Sequence, residues 1–158
     1  DGNIEVYLSF SYYLKMNNIL FLNLINVSEL FAIYIIKSLE YVNTITIENC
    51  NLNKWTYREC SYSWPDEISF VNSISELNLT SLQLINCKVN NNLLEKLIKN
   101  QPLLNHINLS NNNISKRGLK ILLSKCRKLE NINITSNNIN NYYINKFKTK
   151  YNQVNFIY

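Results

Sequence analysis

Four stretches of this chain superimpose without gaps, and that repetition constrains the fold more than any bulk property. They run Val42, Ile45, Ile47, Cys50, Leu52; Leu79, Leu82, Leu84, Cys87, Val89; Leu104, Ile107, Leu109, Asn112, Ile114; and Leu129, Ile132, Ile134, Asn137, Ile139. Aliphatic residues fill positions 1, 4, 6 and 11 of each copy, and Asn or Cys fills position 9. A weaker copy begins Ile19, Leu22, Leu24 and carries Val27 at position 9; a last one begins Tyr151, Val154, Phe156 and is cut off at Tyr158. The starts at 19, 42, 79, 104, 129 and 151 are 23, 37, 25, 25 and 22 residues apart. One unit of that size cannot bury its own apolar face, so successive units are expected to stack.

Each position has a physical reading. Positions 3 to 7 alternate polar and apolar, the pattern of a short strand with one buried face. The second half of a copy has helical period instead. Residues 92–99 are expected to bury Leu93, Leu94, Leu97 and Ile98, and residues 115–126 to bury Leu119, Leu122, Leu123 and Cys126, with Ser115 as N-cap. Strands separated by helical returns pair in parallel. The Asn after each strand sits at a turn, where a buried amide can satisfy backbone groups of the neighbouring turn. Cys50 and Cys87 stand in as small, weakly polar substitutes and read as structural thiols.

The pattern L-x-x-L-x-L-x-x-[N/C]-x-L resembles the leucine-rich repeat consensus. The stretch NNNISKRGLKILLSKCRKL resembles the ribonuclease-inhibitor-like and cysteine-containing subclasses, including those attached to F-boxes. The resemblance implies an α/β solenoid of about five to six repeats, with short parallel strands on the concave face and helices on the convex face. The repeat domain spans 19–158, with an insertion at about 53–65 that accounts for the long interval. Residues 1–18 match no repeat; the alternation from Ile4 to Phe10 suggests a capping segment or a degenerate strand. The chain starts at Asp1 and stops within a repeat, so it is expected to be processed or partial, and its open end to be continued or covered.

Composition narrows the function. The chain has 158 residues, 46% of them hydrophobic, enough for a core. Its thirty asparagines fit a repeat that needs Asn, an A/T-rich genome, or both. Gly2 and Gly118 are the only glycines, so no Gly-rich phosphate loop exists. One His and eleven acidic residues leave little material for catalysis, and neither enzyme activity nor a cofactor or metal is expected. Cys50, Cys60, Cys87 and Cys126 form no CxxC pair; their spacing leaves a disulfide open, but repeat positions favour buried thiols in a reducing compartment. Five N-x-S/T sequons are about what thirty asparagines give by chance. No signal peptide is evident, and Ile19 to Ile36 is too interrupted by polar residues to span a membrane. The expected setting is intracellular, cytoplasmic or nuclear, with an organelle left open. Leu30 to Ile36 is apolar at seven consecutive positions, so this helix is expected to be covered by an N-terminal segment or a partner.

Three surfaces are candidates for binding. The concave face presents Phe21, Asn23, Thr46, Glu48, Gln83, Ile85, His106, Asn108, Asn131 and Asn133, with Ser110 among their neighbours. This polar face suits a protein partner and lacks a nucleophile beside a base. The insertion offers Trp55, Tyr57, Tyr62 and Trp64, which are either interface anchors or a cover for the first helix. The third surface is electrostatic. Residues 1–79 carry four basic and nine acidic residues, a net −5, whereas 80–158 carry twelve basic and two acidic, a net +10. Lys116, Arg117, Lys120, Lys125, Arg127, Lys128, Lys146, Lys148 and Lys150, with Lys96 and Lys99, are expected to form one convex stripe facing nucleic acid, an acidic protein or an acidic membrane, or simply water. The expectation is an interaction module or scaffold subunit of a hetero-complex. The alternatives are a nucleic-acid-associated (ribonucleoprotein) subunit and an F-box-like substrate-receptor arm.

Overall fold

The computed structural model describes residues 19–52 and 70–158. Six strands alternate with five helices: β1 (Phe21–Ile25), α1 (Glu29–Lys37), β2 (Thr44–Glu48), α2 (Phe70–Ser75), β3 (Ser81–Ile85), α3 (Asn91–Leu97), β4 (His106–Asn108), α4 (Lys116–Lys125), β5 (Asn131–Asn133), α5 (Asn141–Lys150) and β6 (Asn155–Ile157). The strands form one parallel sheet in chain order, β1 to β6. Equivalent repeat positions are in register: Leu22, Ile45, Leu82, Ile107, Ile132 and Phe156 form one row across it. This is the expected solenoid, with six rungs.

The core lies between the sheet and the helices. Ile45, Ile47, Leu82, Leu84, Leu109 and Ile132 are fully buried beneath the strands, and Leu94, Leu119 and Leu122 meet them from the helices. Removing such a side chain from water stabilises the fold by about 1.5–3 kcal/mol. Each rung therefore depends on its neighbours.

Local chemistry sets the element boundaries. Ser28, Asn90, Ser115 and Asn140 cap the N-termini of α1, α3, α4 and α5, accepting from Phe31, Leu93, Arg117 and Tyr142 N–H. β2 and β3 have five residues, but β4 and β5 have three. Asn108 Oδ1 accepts the Ser110 N–H at 3.0 Å, and Asn133 Oδ1 accepts the Thr135 N–H at 3.0 Å. These side chains replace the last pleat by a local turn. Ser110 is consequently buried, not on the open face as alternation implied. Leu93, expected in the core, is half-buried on the rim of α3.

The residue at position 8 is left-handed in every rung where the turn is complete: Asn26, Asn49, Asn86, Asn111 and Ser136 have φ of 52–58°. Asn tolerates that conformation better than most residues because its short amide bonds locally. The reversed backbone lets the ladder continue past the strands, as in Asn49 N–H to Ile85 O at 3.0 Å and Asn86 N–H to Ser110 O at 3.0 Å.

Helix α1 is enclosed on nearly all sides. Ala32, Ile33, Ile35 and Ile36 are buried, while Leu30 and Lys37 mark the narrow exposed strip. The apolar run from Leu30 to Ile36 is thus an interior helix. The N-terminal capping segment (1–18) and the insertion, including Trp55, Tyr57, Tyr62 and Trp64, lie outside the described residues. None of the helices among the described residues is long and apolar enough to cross a membrane.

Candidate functional site

The open face of the sheet is built from the outward positions of the strands. Register sorts them into rows. The first is Phe21, Thr44, Ser81, His106, Asn131 and Asn155; the second is Asn23, Thr46, Gln83, Asn108, Asn133 and Ile157; the third, on the longer strands, is Ile25, Glu48 and Ile85. The ten expected face residues therefore do share one surface.

They are not equally free. Asn108 and Asn133 spend a side-chain oxygen on their own turns. Asn131 Nδ2 approaches His106 Nε2 at 3.4 Å, and Asn155 donates to Asn131 Oδ1 at 3.2 Å, forming an amide–imidazole chain. His106 has no acidic neighbour in this row, and no hydrogen bond joins it to Ser81, its partner on β3. No group of three or more His, Cys, Asp or Glu residues is placed to hold a metal among the described residues. At the other end, Phe21 is 72% exposed, and Ile25, which flanks the acidic Glu48, is 50% exposed.

The turns beneath the face explain its rigidity. Asn112 lies where position 9 requires an amide. Its Nδ2 donates to the carbonyls of Leu84 and, at 3.0 Å, Leu109 and Ser110; its Oδ1 accepts the N–H groups of Cys87 and Val89 at 3.1 and 2.8 Å. Asn137 repeats the arrangement one rung later, donating to Leu109 O at 2.6 Å and accepting from Ile114 N–H at 2.8 Å. Both amides are half-buried and join adjacent rungs. Cys87 makes a fraction of these contacts: its thiol reaches Ile47 O at 3.3 Å and Ile85 O at 3.2 Å. Burial pushes the thiols of Cys50 up to about 12 and of Cys87 and Cys126 up to about 11. They stay protonated and unreactive at neutral pH.

Sequence reasoning passed over two further polar groups. Gln101 is buried and clamps two rungs, accepting the Leu79 N–H at 3.1 Å and donating to Ile74 O at 2.9 Å. Its position before Pro102 in a helix-to-strand loop was the available signal. Glu29 opens α1 and is also buried; burial pushes its carboxyl up to about 7, and its Oε2 has no hydrogen-bond partner.

The basic residues do not make one free stripe. Glu95 on α3 lies 3.3 Å from Lys125 and 4.0 Å from Arg117. Lys116 sits 3.8 Å over the Tyr143 ring, Lys148 over Tyr158 and Lys150 over Tyr151. Arg127 and Lys128 lie beyond the end of α4, at Cys126, while Lys120 and Lys146 remain exposed on α4 and α5. Lys96, Lys125, Lys148 and Lys150 occupy last turns of helices, where positive charge offsets the helix dipole. Several of these cations therefore have local partners, while the net charge of this half stays at +10.

Residues 37–154 match the family described as FBD-associated F-box protein At5g56370, LRR repeats. The chain belongs to this leucine-rich repeat family. The match begins in the last turn of α1 and ends just before β6, so it embraces four of the six strands, β2 to β5. No curated protein matches the chain. Leucine-rich repeat domains generally mediate protein–protein interaction, and the family is typically non-enzymatic. Cys50 and Cys87 occupy the Asn position of the repeat.

Proposed function

We propose that this leucine-rich repeat chain is a non-enzymatic interaction module, a scaffold subunit of a hetero-complex that docks a protein on the open face of its sheet. One observation carries the reading. Six in-register strands present a face of amides, hydroxyls and exposed aliphatics that no other described element covers, braced from below by the position-9 network. A stiff polar face of this kind binds by many modest contacts and loses little entropy on binding. Placing arginines at Thr46 and Gln83, neighbours in the second row, should abolish capture of the native partner from cell extract while leaving the circular dichroism spectrum unchanged. Capture that survives both changes contradicts the reading.

A second reading has support from the family's name, which refers to F-box proteins. On that reading the solenoid is the substrate-receptor arm of a larger chain. Co-purification with ubiquitin-ligase components would favour it over a free-standing scaffold. Binding of nucleic acid or an acidic protein through Lys120, Arg127, Lys128 and Lys146 is a weaker proposal, because Glu95 and three tyrosines already engage five of the other cations. Its test is salt-dependent retention on nucleic acid. Interior free thiols at Cys50, Cys87 and Cys126 support a reducing, intracellular setting, cytoplasmic or nuclear.

A further inference from the structure

The open face is chemically lopsided. Along its strands Glu48 is the one charged side chain among the described residues. Ile25 and Ile85 stand beside it in the same row, on the strands to either side. Adjacent strands are about 5 Å apart, so Glu48 is flanked on both sides by aliphatic side chains, a notch of mixed charge and apolar surface. Glu48 forms no ion pair or side-chain hydrogen bond with another described residue. A rigid rim closes the notch: Asn49 donates to Asn26 Oδ1 at 3.0 Å and Asn86 donates to Asn49 Oδ1 at 2.7 Å. Phe21 stands 72% exposed on β1, four residues before Ile25.

We propose that this end of the face receives a protein segment carrying one basic side chain, with its charge on Glu48 and its methylene stem between Ile25 and Ile85, and an apolar side chain that packs on Phe21. The proposal rests on the interaction-module reading and specifies its partner. Charge complementarity selects the occupant. Lys and Arg are the side chains that pair an apolar stem with a cationic head. Strand rise puts the two anchor points about 14 Å apart, a span of roughly four extended residues. Among the described residues before Thr80, four acidic residues (Glu29, Glu40, Glu48 and Glu76) stand against one lysine (Lys37), whereas residues 80–158 carry a net +10, so a cationic segment is favoured at this end over the other. The remaining face, rich in amides, supplies neutral contacts.

The test is selection of random dodecapeptides displayed on phage against the full chain, its Glu48→Gln and Glu48→Lys variants, and an Asn131→Arg variant that blocks the far end. Glu48 is half-exposed, so these changes leave the core intact, which circular dichroism checks. The expected result is enrichment of peptides with a Lys or Arg about four residues from an apolar side chain. Such a peptide should bind Glu48→Gln about tenfold or more weakly, Glu48→Lys should select acidic residues instead, and Asn131→Arg should change little. Peptides that lack a basic preference, or that are lost only with Asn131→Arg, overturn this inference and leave the interaction-module reading standing. No enrichment, or enrichment indifferent to every face substitution, overturns both.

Discussion

The first three rungs and the last three solve the same stacking problem with different chemistry. In β1 to β3 the turn position holds Val27, Cys50 and Cys87, and an exposed ladder of Asn26, Asn49 and Asn86 side chains ties the rungs at their edge. In β4 and β5 the turn position holds Asn112 and Asn137, each bridging backbone groups of two rungs. The later rungs gain a second line of pairing at Asn90–Asn113 and Ser115–Asn138. The earlier rungs keep longer strands, and with them the row that carries Ile25, Glu48 and Ile85. Internal amide bonding thus makes the C-terminal rungs stiff and chemically self-satisfied. The N-terminal rungs rely more on apolar burial and leave more surface unengaged by the described residues. A docking face needs both: a fixed frame and a free end.

The largest break in this comparison should come from Asn112→Ala. It strips partners from the Cys87 and Val89 N–H groups and from the Leu84 carbonyl. Each orphaned buried group costs about 1–3 kcal/mol, so urea denaturation should report a loss of roughly 4 kcal/mol. Cys87→Ala removes only the thiol contacts to Ile47 O and Ile85 O and should cost about 1–2 kcal/mol. Equal losses at the two sites would erase the distinction.

Gly118→Ala comes next. A Cβ there would collide with Asn91 Oδ1, which the Ser115 N–H holds in place, and would lie 2.9 Å from Ile114 Cγ2. Overpacking of this kind costs about 1–3 kcal/mol, more than the helix propensity regained. The thermal midpoint should fall accordingly.

Glu29→Gln probes the N-terminal rungs with the opposite sign. Its folded-state carboxyl titrates near 7, above the ordinary 4.5. The native state thus prefers the protonated acid, and stability is lost as pH rises from 4.5 through 7. The amide should match wild type at pH 4 and exceed it at pH 8 by on the order of 2 kcal/mol. Parallel stability–pH profiles would contradict this assignment. The smallest effect belongs to Glu95→Gln, which should cost under about 1 kcal/mol because the pairs with Lys125 and Arg117 are exposed.

These sites also mark how far the sequence could be read. Positions 1, 4, 6 and 11 announce themselves because burial demands aliphatic side chains at fixed intervals, and the sheet register follows from them. The Asn at position 9 is legible for the same reason, since an amide at a turn has few other uses. Asn26, Asn49, Asn86 and Asn111 at position 8 were equally visible, but in a chain of thirty asparagines their left-handed backbone carries no separate mark. The turns of Asn108 and Asn133 shorten two strands against the alternating pattern, because a local side-chain bond outcompetes the last pleat. Glu29 reads as an ordinary first-turn acid, and only the packing around α1 reveals it as buried. The expected basic stripe counted charges without the partners that folding brings to them, above all Glu95 and Tyr143.

The stacking of rungs is tested most directly by cross-strand nuclear Overhauser effects at Ile107, the middle of the sheet. The account predicts backbone contacts from Ile107 to Leu82 on one side and to Ile132 on the other, in parallel register. Contacts from Ile107 to neither residue, or an antiparallel pattern, would contradict it.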